Sequence, residues 1–243
     1  MANLSVAVFT KATIPEASEA AVRTMAAAVQ TQIQSDFAAA WNITADLVFF
    51  GSAQKVPKDM WQIGIFDNAD QAGALGYHDV TNEGLPLGKV FARTTLVDGG
   101  KISVTLSHEI LEMLADPDIN LTAFVEAPSG GGRLYAYEVC DAVEADDLGY
   151  DVDGITVSDF VTPAWFQSFR KKGSTDFSFR KNVKEPFALA PGGYIGYYDV
   201  QSGSGWQQLT PNEKPTFKSR APRGSRRERR RTPRRQWMAS TSR

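Results

Sequence analysis

Cysteine is almost absent from this 243-residue chain. Cys140 stands alone, so no internal disulfide can form and a disulfide-framed secreted scaffold is excluded. Long apolar runs are missing as well. No stretch approaches the roughly 18 apolar residues that a membrane span needs, and Met1–Val6 shows no basic segment leading into an apolar one, so no signal peptide is expected. These absences point to a cytosolic or assembly-borne protein. Histidine is scarce too, with only His78 and His108, so imidazole chemistry can sit at two places at most.

What is present is a globular composition, 42% hydrophobic and 22% charged, enough for one large domain or two small ones. The net charge of -2 hides an asymmetry. Residues 218–243 hold 11 Lys/Arg against the single acid Glu228, leaving 15 basic and 27 acidic residues before them, so a body near -12 precedes a tail near +10. Such a like-charged, Pro-containing segment buries too little to fold alone and is expected to be a flexible basic arm. The expected boundary lies near Phe217, with residues 1–217 as the folded domain, divided into an N-terminal half, 1–117, and a β-rich half, 118–217.

Patterning along the body predicts an α+β fold. Residues 3–9 read as a strand, and from Pro15 to Trp41 the apolar positions Val22, Met25, Val29, Ile33, Phe37 and Trp41 recur at helical steps of three and four. Asp46–Phe50, Trp61–Phe66 and Lys89–Val97 are β-prone runs, the last closed by Asp98-Gly99-Gly100. Ile102–Ala115 is again helical and stops before Pro117. Leu121–Glu126, Leu134–Val143, Ile155–Val161, Tyr194–Val200 and Trp206–Thr210 read as strands, with a short helix from Thr162.

The chemistry concentrates on the helix containing Ser107-His108-Glu109-Ile110-Leu111-Glu112. With Leu106 at zero on a helical wheel, the apolar stripe of Ile102, Ile110, Met113 and Leu114 spans about -40° to 80°, and His108 and Glu112 fall near 200° and 240°. They stand one turn apart and can converge on one ion, as the paired histidines of an H-E-x-x-H helix do. Glu109 lies beside them, placed to act on water without being a ligand. The competing reading is a plain solvated helix face, on which a chance His-Glu-x-x-Glu needs no metal.

The segment Val104-Thr-Leu-Ser-His-Glu-Ile-Leu-Glu-Met-Leu-Ala-Asp-Pro resembles the active helix of zincin-like metallopeptidase domains encoded by phages and prophages. Tyr137-Glu-Val-Cys-Asp and Val157-Ser-Asp-Phe-Val-Thr-Pro-Ala-Trp-Phe resemble further blocks of that group, so the likeness covers about residues 60–170. It implies a zincin-like mixed sheet, a long N-terminal helix, and an edge strand ahead of the active-site helix that binds extended peptide. It also implies Zn2+ or another divalent cation, and residence in host cytoplasm or a virion. One departure is plain: Glu112 occupies the place of a second histidine, which favours harder cations than zinc and leaves bound water less acidic.

A third metal ligand has to come from elsewhere in the chain. Glu138 is the first choice, by analogy with zincins that use a downstream carboxylate, and Asp141 the second; a strand would set Glu138 and Cys140 on one face. The alternative for that stretch is a solvated or calcium-binding loop, and Cys140 reads as a ligand or, as a lone Cys in an apolar run more often is, a buried core residue. His78 falls in a loop bracketed by Gly76 and Gly84, and reads as a catalytic group orienting substrate or stabilising an oxyanion, or as a surface histidine. Asp151-Val-Asp-Gly reads as a tight turn.

Arg226, Arg227, Arg229, Arg230, Arg231, Arg234 and Arg235 of the arm suit nucleic acid or an acidic assembly partner, including a virion protein. Two functions follow: a metal-dependent peptide hydrolase, or a non-catalytic phage virion or tail protein retaining the zincin-like fold.

Overall fold

A computed structural model describes residues 4–128, 130–202 and 205–211. The basic arm, with the seven arginines named above, and the boundary at Phe217 lie outside the described residues. Eleven strands and four α-helices occur among those described. The N-terminal half runs β1 (Ser5–Thr10), α1 (Glu19–Gln32), α2 (Ala38–Trp41), β2 (Asp46–Phe50), β3 (Trp61–Phe66), β4 (Gly76–Val80), β5 (Pro86–Phe91), α3 (Ala92–Val97) and α4 (Ile102–Ala115). The rest runs β6 (Thr122–Glu126), β7 (Gly132–Ala136), β8 (Tyr150–Val152), β9 (Ile155–Val157), β10 (Ile195–Asp199) and β11 (Trp206–Leu209). The protein is therefore mixed α+β.

The first sheet has the order β2-β1-β3-β5-β4, with β4 antiparallel at the edge and the other four strands parallel. Val6, Val8, Ile63, Ile65 and Val90 are fully buried in it, and α1 packs on β1 and β2 while α4 packs on β4 and β5 and touches α1. The steps of three and four bury Val22, Val29, Ile33 and Phe37 completely. A second sheet, β11-β10-β7-β6, is antiparallel, and β8-β9 is a separate hairpin. Asp153 and Gly154 turn that hairpin at φ 53° and 81°, as the tight-turn reading requires. One contiguous apolar core runs from Val6 to Ile195 and draws on both halves.

Where the expected elements differ, buried polar contacts explain most of the difference. The N-terminal helix begins at Glu19 after a short turn at Pro15–Ala17, and passes through a π turn, Ile33–Phe37, before α2. The strand expected over Lys89–Val97 ends at Phe91, where the Arg93 amide turns to the Asp67 carbonyl at 2.8 Å and the Thr95 hydroxyl bonds the Phe91 carbonyl at 2.9 Å. It also lies inside the sheet. The edge strand is β4, the segment read as a loop because of Gly76 and Gly84; its pairing with β5, with His78 opposite Gly88, prevails. Gly84, at φ 86°, serves only the connection.

The strand expected over Leu134–Val143 stops at Ala136, because the amides of Cys140 and Asp141 donate to the Glu112 carboxylate instead of a neighbouring strand. The one expected over Ile155–Val161 stops at Val157 for a like reason. The Ser158 amide donates to the Ser107 hydroxyl at 3.1 Å, and its carbonyl accepts from Gln32 at 2.8 Å.

Candidate metal centre

The polar side of α4 is not a solvated face. Every residue from Ile102 to Ala115 is buried except His108, whose side chain is 12% exposed. A network of small polar groups fixes the helix at that point. The Ser107 hydroxyl donates to Gln32 Oε1 at 2.7 Å, Gln32 Nε2 donates to the Tyr150 hydroxyl at 3.1 Å, and Tyr150 donates to Asp36 at 2.8 Å. The rotation of α4 is thereby tied to α1, to the π turn and to β8. These contacts span 75 to 118 residues of sequence, and no local pattern announces Gln32, Ser107 or Tyr150.

Glu112 is the hinge of the site. Its Oε1 accepts from the backbone amides of Cys140 and Asp141 at 3.2 and 3.3 Å, drawing the 137–141 segment onto the helix. Its Oε2 faces both histidines, 3.3 Å from His108 Nε2 and 3.6 Å from His78 Nδ1. Asp141 Oδ1 closes on His108 Nε2 at 3.3 Å from the start of the turn Asp141–Val143. The chain around Gly193 locks that turn: the Tyr194 amide bonds the Asp141 carbonyl at 2.9 Å, and a Cβ on Gly193 would stand 2.3 Å from the Ala142 carbonyl oxygen. The Tyr194 side chain also hydrogen-bonds the Asp141 carboxylate.

His78 enters from the opposite wall. On β4 it is fully buried, with Nδ1 3.4 Å from Glu109 Oε2 and Nε2 3.7 Å from Glu138 Oε2. It sits neither in a loop nor at the surface. Close approach of β4 to α4 requires glycine at 76, since a Cβ there would lie 2.8 Å from Glu109 Oε1.

All six candidate residues thus meet in one place, but not as one ligand set. His108, Glu112 and Asp141 form one group whose donor atoms lie within 4.8 Å of one another, and His78, Glu112 and Glu138 form another. Asp141 completes the group at His108; Glu138, the first choice from sequence, stands with His78. Cys140 is fully buried alongside, burial pushes its thiol well above the ordinary range, and it joins neither group.

The donor chemistry fits a divalent cation. Ligands about 2.1 Å from a tetrahedral ion stand about 3.4 Å apart, and His108 stands 3.3 Å from both its carboxylates. Charge is crowded here. Burial first, and then the Glu112 charge, raise Asp141 to about 6. Burial and then the charge on Asp141 raise the nearby Glu144 to about 8. Burial pulls His108 down, but the charge on Glu112 and contacts with Asp141 and Glu112 outweigh it and hold the imidazole well above its ordinary value. Glu144 closes the acid-rich stretch that begins at Tyr137, whereas no motif surrounds Tyr194.

No family model, curated protein or solved structure matches the chain. Among the described residues no helix is long and apolar enough to cross a membrane.

Proposed function

We propose that the chain is a zincin-like, zinc-dependent hydrolase of peptide bonds, of the kind carried by phages and prophages. The observation that carries this reading is the meeting of His108, Glu112 and Asp141 at 3.3 Å on the exposed side of the site, with Glu109 one residue from His108 on the same helix. A divalent cation held by those three would supply a Lewis acid for the scissile carbonyl and acidify the attacking water. The remaining work falls to the chain's own groups.

Glu109, 5% exposed, takes the proton from the attacking water at its carboxylate and returns it to the leaving amine. His78 Nδ1, 3.4 Å from Glu109 Oε2, holds that carboxylate in place, so His78 is a positioning residue rather than an exposed oxyanion donor. Strand β4 ends the sheet, so an extended peptide pairing with its outer edge would pass beside Glu109.

Glu109→Gln tests the reading. The variant should keep its zinc, since Glu109 belongs to neither ligand group, and lose about two to four orders of magnitude in peptide hydrolysis, the usual contribution of a positioned acid or base. Loss of zinc from that variant, or unchanged hydrolysis, refutes the assignment.

A further inference from the structure

The second donor group lies deeper than the site just described. His78 and Glu138 have side chains with no exposure, and Glu112 is 2% exposed. We propose that the chain binds two divalent cations sharing Glu112, an outer one at His108, Glu112 and Asp141 and an inner one at His78, Glu112 and Glu138. The outer ion is that of the preceding section; the inner one goes beyond it.

Spacing is the first argument. The separation of His78 Nε2 from Glu138 Oε2, 3.7 Å, exceeds the 2.7–3.2 Å of an N–H···O hydrogen bond and comes near the spacing of about 3.4 Å between ligands of one tetrahedral ion, and His78, Glu112 and Glu138 each offer a donor atom within 4.8 Å of the others. Elsewhere in the core, direct polar contacts are shorter, as between Ser107 and Gln32 at 2.7 Å.

Formal charge is the second, and independent. Glu109, Glu112, Glu138 and Asp141 are all buried. Ionised, these four carboxylates carry -4, and histidines acting as ligands are neutral. One divalent cation balances two of these formal charges and two cations balance all four, in a site with little access to water.

The third is the disposition of His78 and Glu112. With Nε2 of His78 on the ion beside Glu138, Nδ1 is left to donate to Glu109, the usual carboxylate support of a ligating histidine. Glu112 belongs to both donor groups, so its carboxylate is the one group placed between two ions about 3.5–4 Å apart. The inner ion, sealed from solvent, pins β4 and the 137–141 segment to α4 and thereby holds Glu109.

Its test is a count. The full-length chain, stripped with a chelator and titrated with Zn2+ against a chromophoric competitor, should bind two equivalents; Mn2+ in parallel tests preference for the carboxylate-rich pocket. Glu138→Gln and His78→Asn should each bind one, and His108→Asn should also bind one, with Glu112→Gln losing both tight equivalents. Circular dichroism monitors folding of each variant. One equivalent in the wild type overturns the proposal whatever the variants do. If that equivalent survives Glu138→Gln and is lost in His108→Asn, the outer site stands and the inner one is wrong. The reverse pattern removes the outer site and the proposed function with it.

Discussion

Ser107→Ala probes the scaffold of the site without touching a donor to the metal. Ser107 is fully buried; its hydroxyl donates to Gln32 Oε1 at 2.7 Å and accepts from the Ser158 amide at 3.1 Å. The methyl group of alanine fills nearly the same space but strands one acceptor and one donor in the core. Each stranded group costs about 1–3 kcal/mol, so the two together should cost about 2–6 kcal/mol. In a chain of this size that lowers Tm by about 4–24 °C. Ser103→Ala is the matched control one turn earlier on α4. Its hydroxyl makes a single bond, to the Thr156 carbonyl at 2.7 Å, at 8% exposure, so its loss should cost under about 1.5 kcal/mol. Urea unfolding followed by tryptophan fluorescence should give a lower midpoint for Ser107→Ala with an unchanged slope. A loss no greater than that of Ser103→Ala would mean that the Gln32–Ser107–Ser158 network does not secure α4.

Removing the cation should invert the usual dependence of stability on pH. Asp141 and Glu144 are raised to about 6 and about 8 in the folded state, each chiefly by burial, so the fold keeps protons that the unfolded chain releases. Their contribution is present below the unfolded carboxyl range and is lost as pH rises through those two values, and the raised His108 adds the same sign. The chelator-treated chain should therefore melt higher at about pH 5.5 than at about pH 8.5, with added Zn2+ flattening the trend; a Tm that rises with pH without cation would contradict this. Truncation after Phe217 removes 11 basic residues and one acid, and should leave Tm unchanged while abolishing any salt-sensitive binding of nucleic acid. Insoluble or early-melting truncated protein would instead make those residues part of the fold and favour a structural component over a free peptidase.

The sequence made the regular parts of this protein legible, because helices and strands that face one core repeat their apolar residues at a fixed period. Asp46–Phe50, Trp61–Phe66 and Ile102–Ala115 agree to the residue. Errors arose where side-chain oxygens capture the backbone. Glu112 takes the amides that would have continued β7, and Ser107 takes the one that would have continued β9. Such contacts cross 28 to 51 residues and leave no periodic trace. The site shows the same division. His108, Glu109 and Glu112 share one helix, so spacing alone displays them. His78 hid behind its glycines, although Gly76 is there because Glu109 presses on it. The pairing of Asp141 with His108 and of Glu138 with His78 depends on how the chain turns after Ala136, which sequence spacing does not encode.

Elemental analysis of the full-length chain, purified with zinc in the medium, beside its His108→Ala variant, tests the central claim most directly. His108 contributes the least buried donor, and its imidazole meets the side chains of Glu112 and Asp141, so the variant should fold as the parent does. The account predicts at least one equivalent of zinc in the parent and one fewer in the variant. Equal zinc in the two proteins, or none in either, would contradict it.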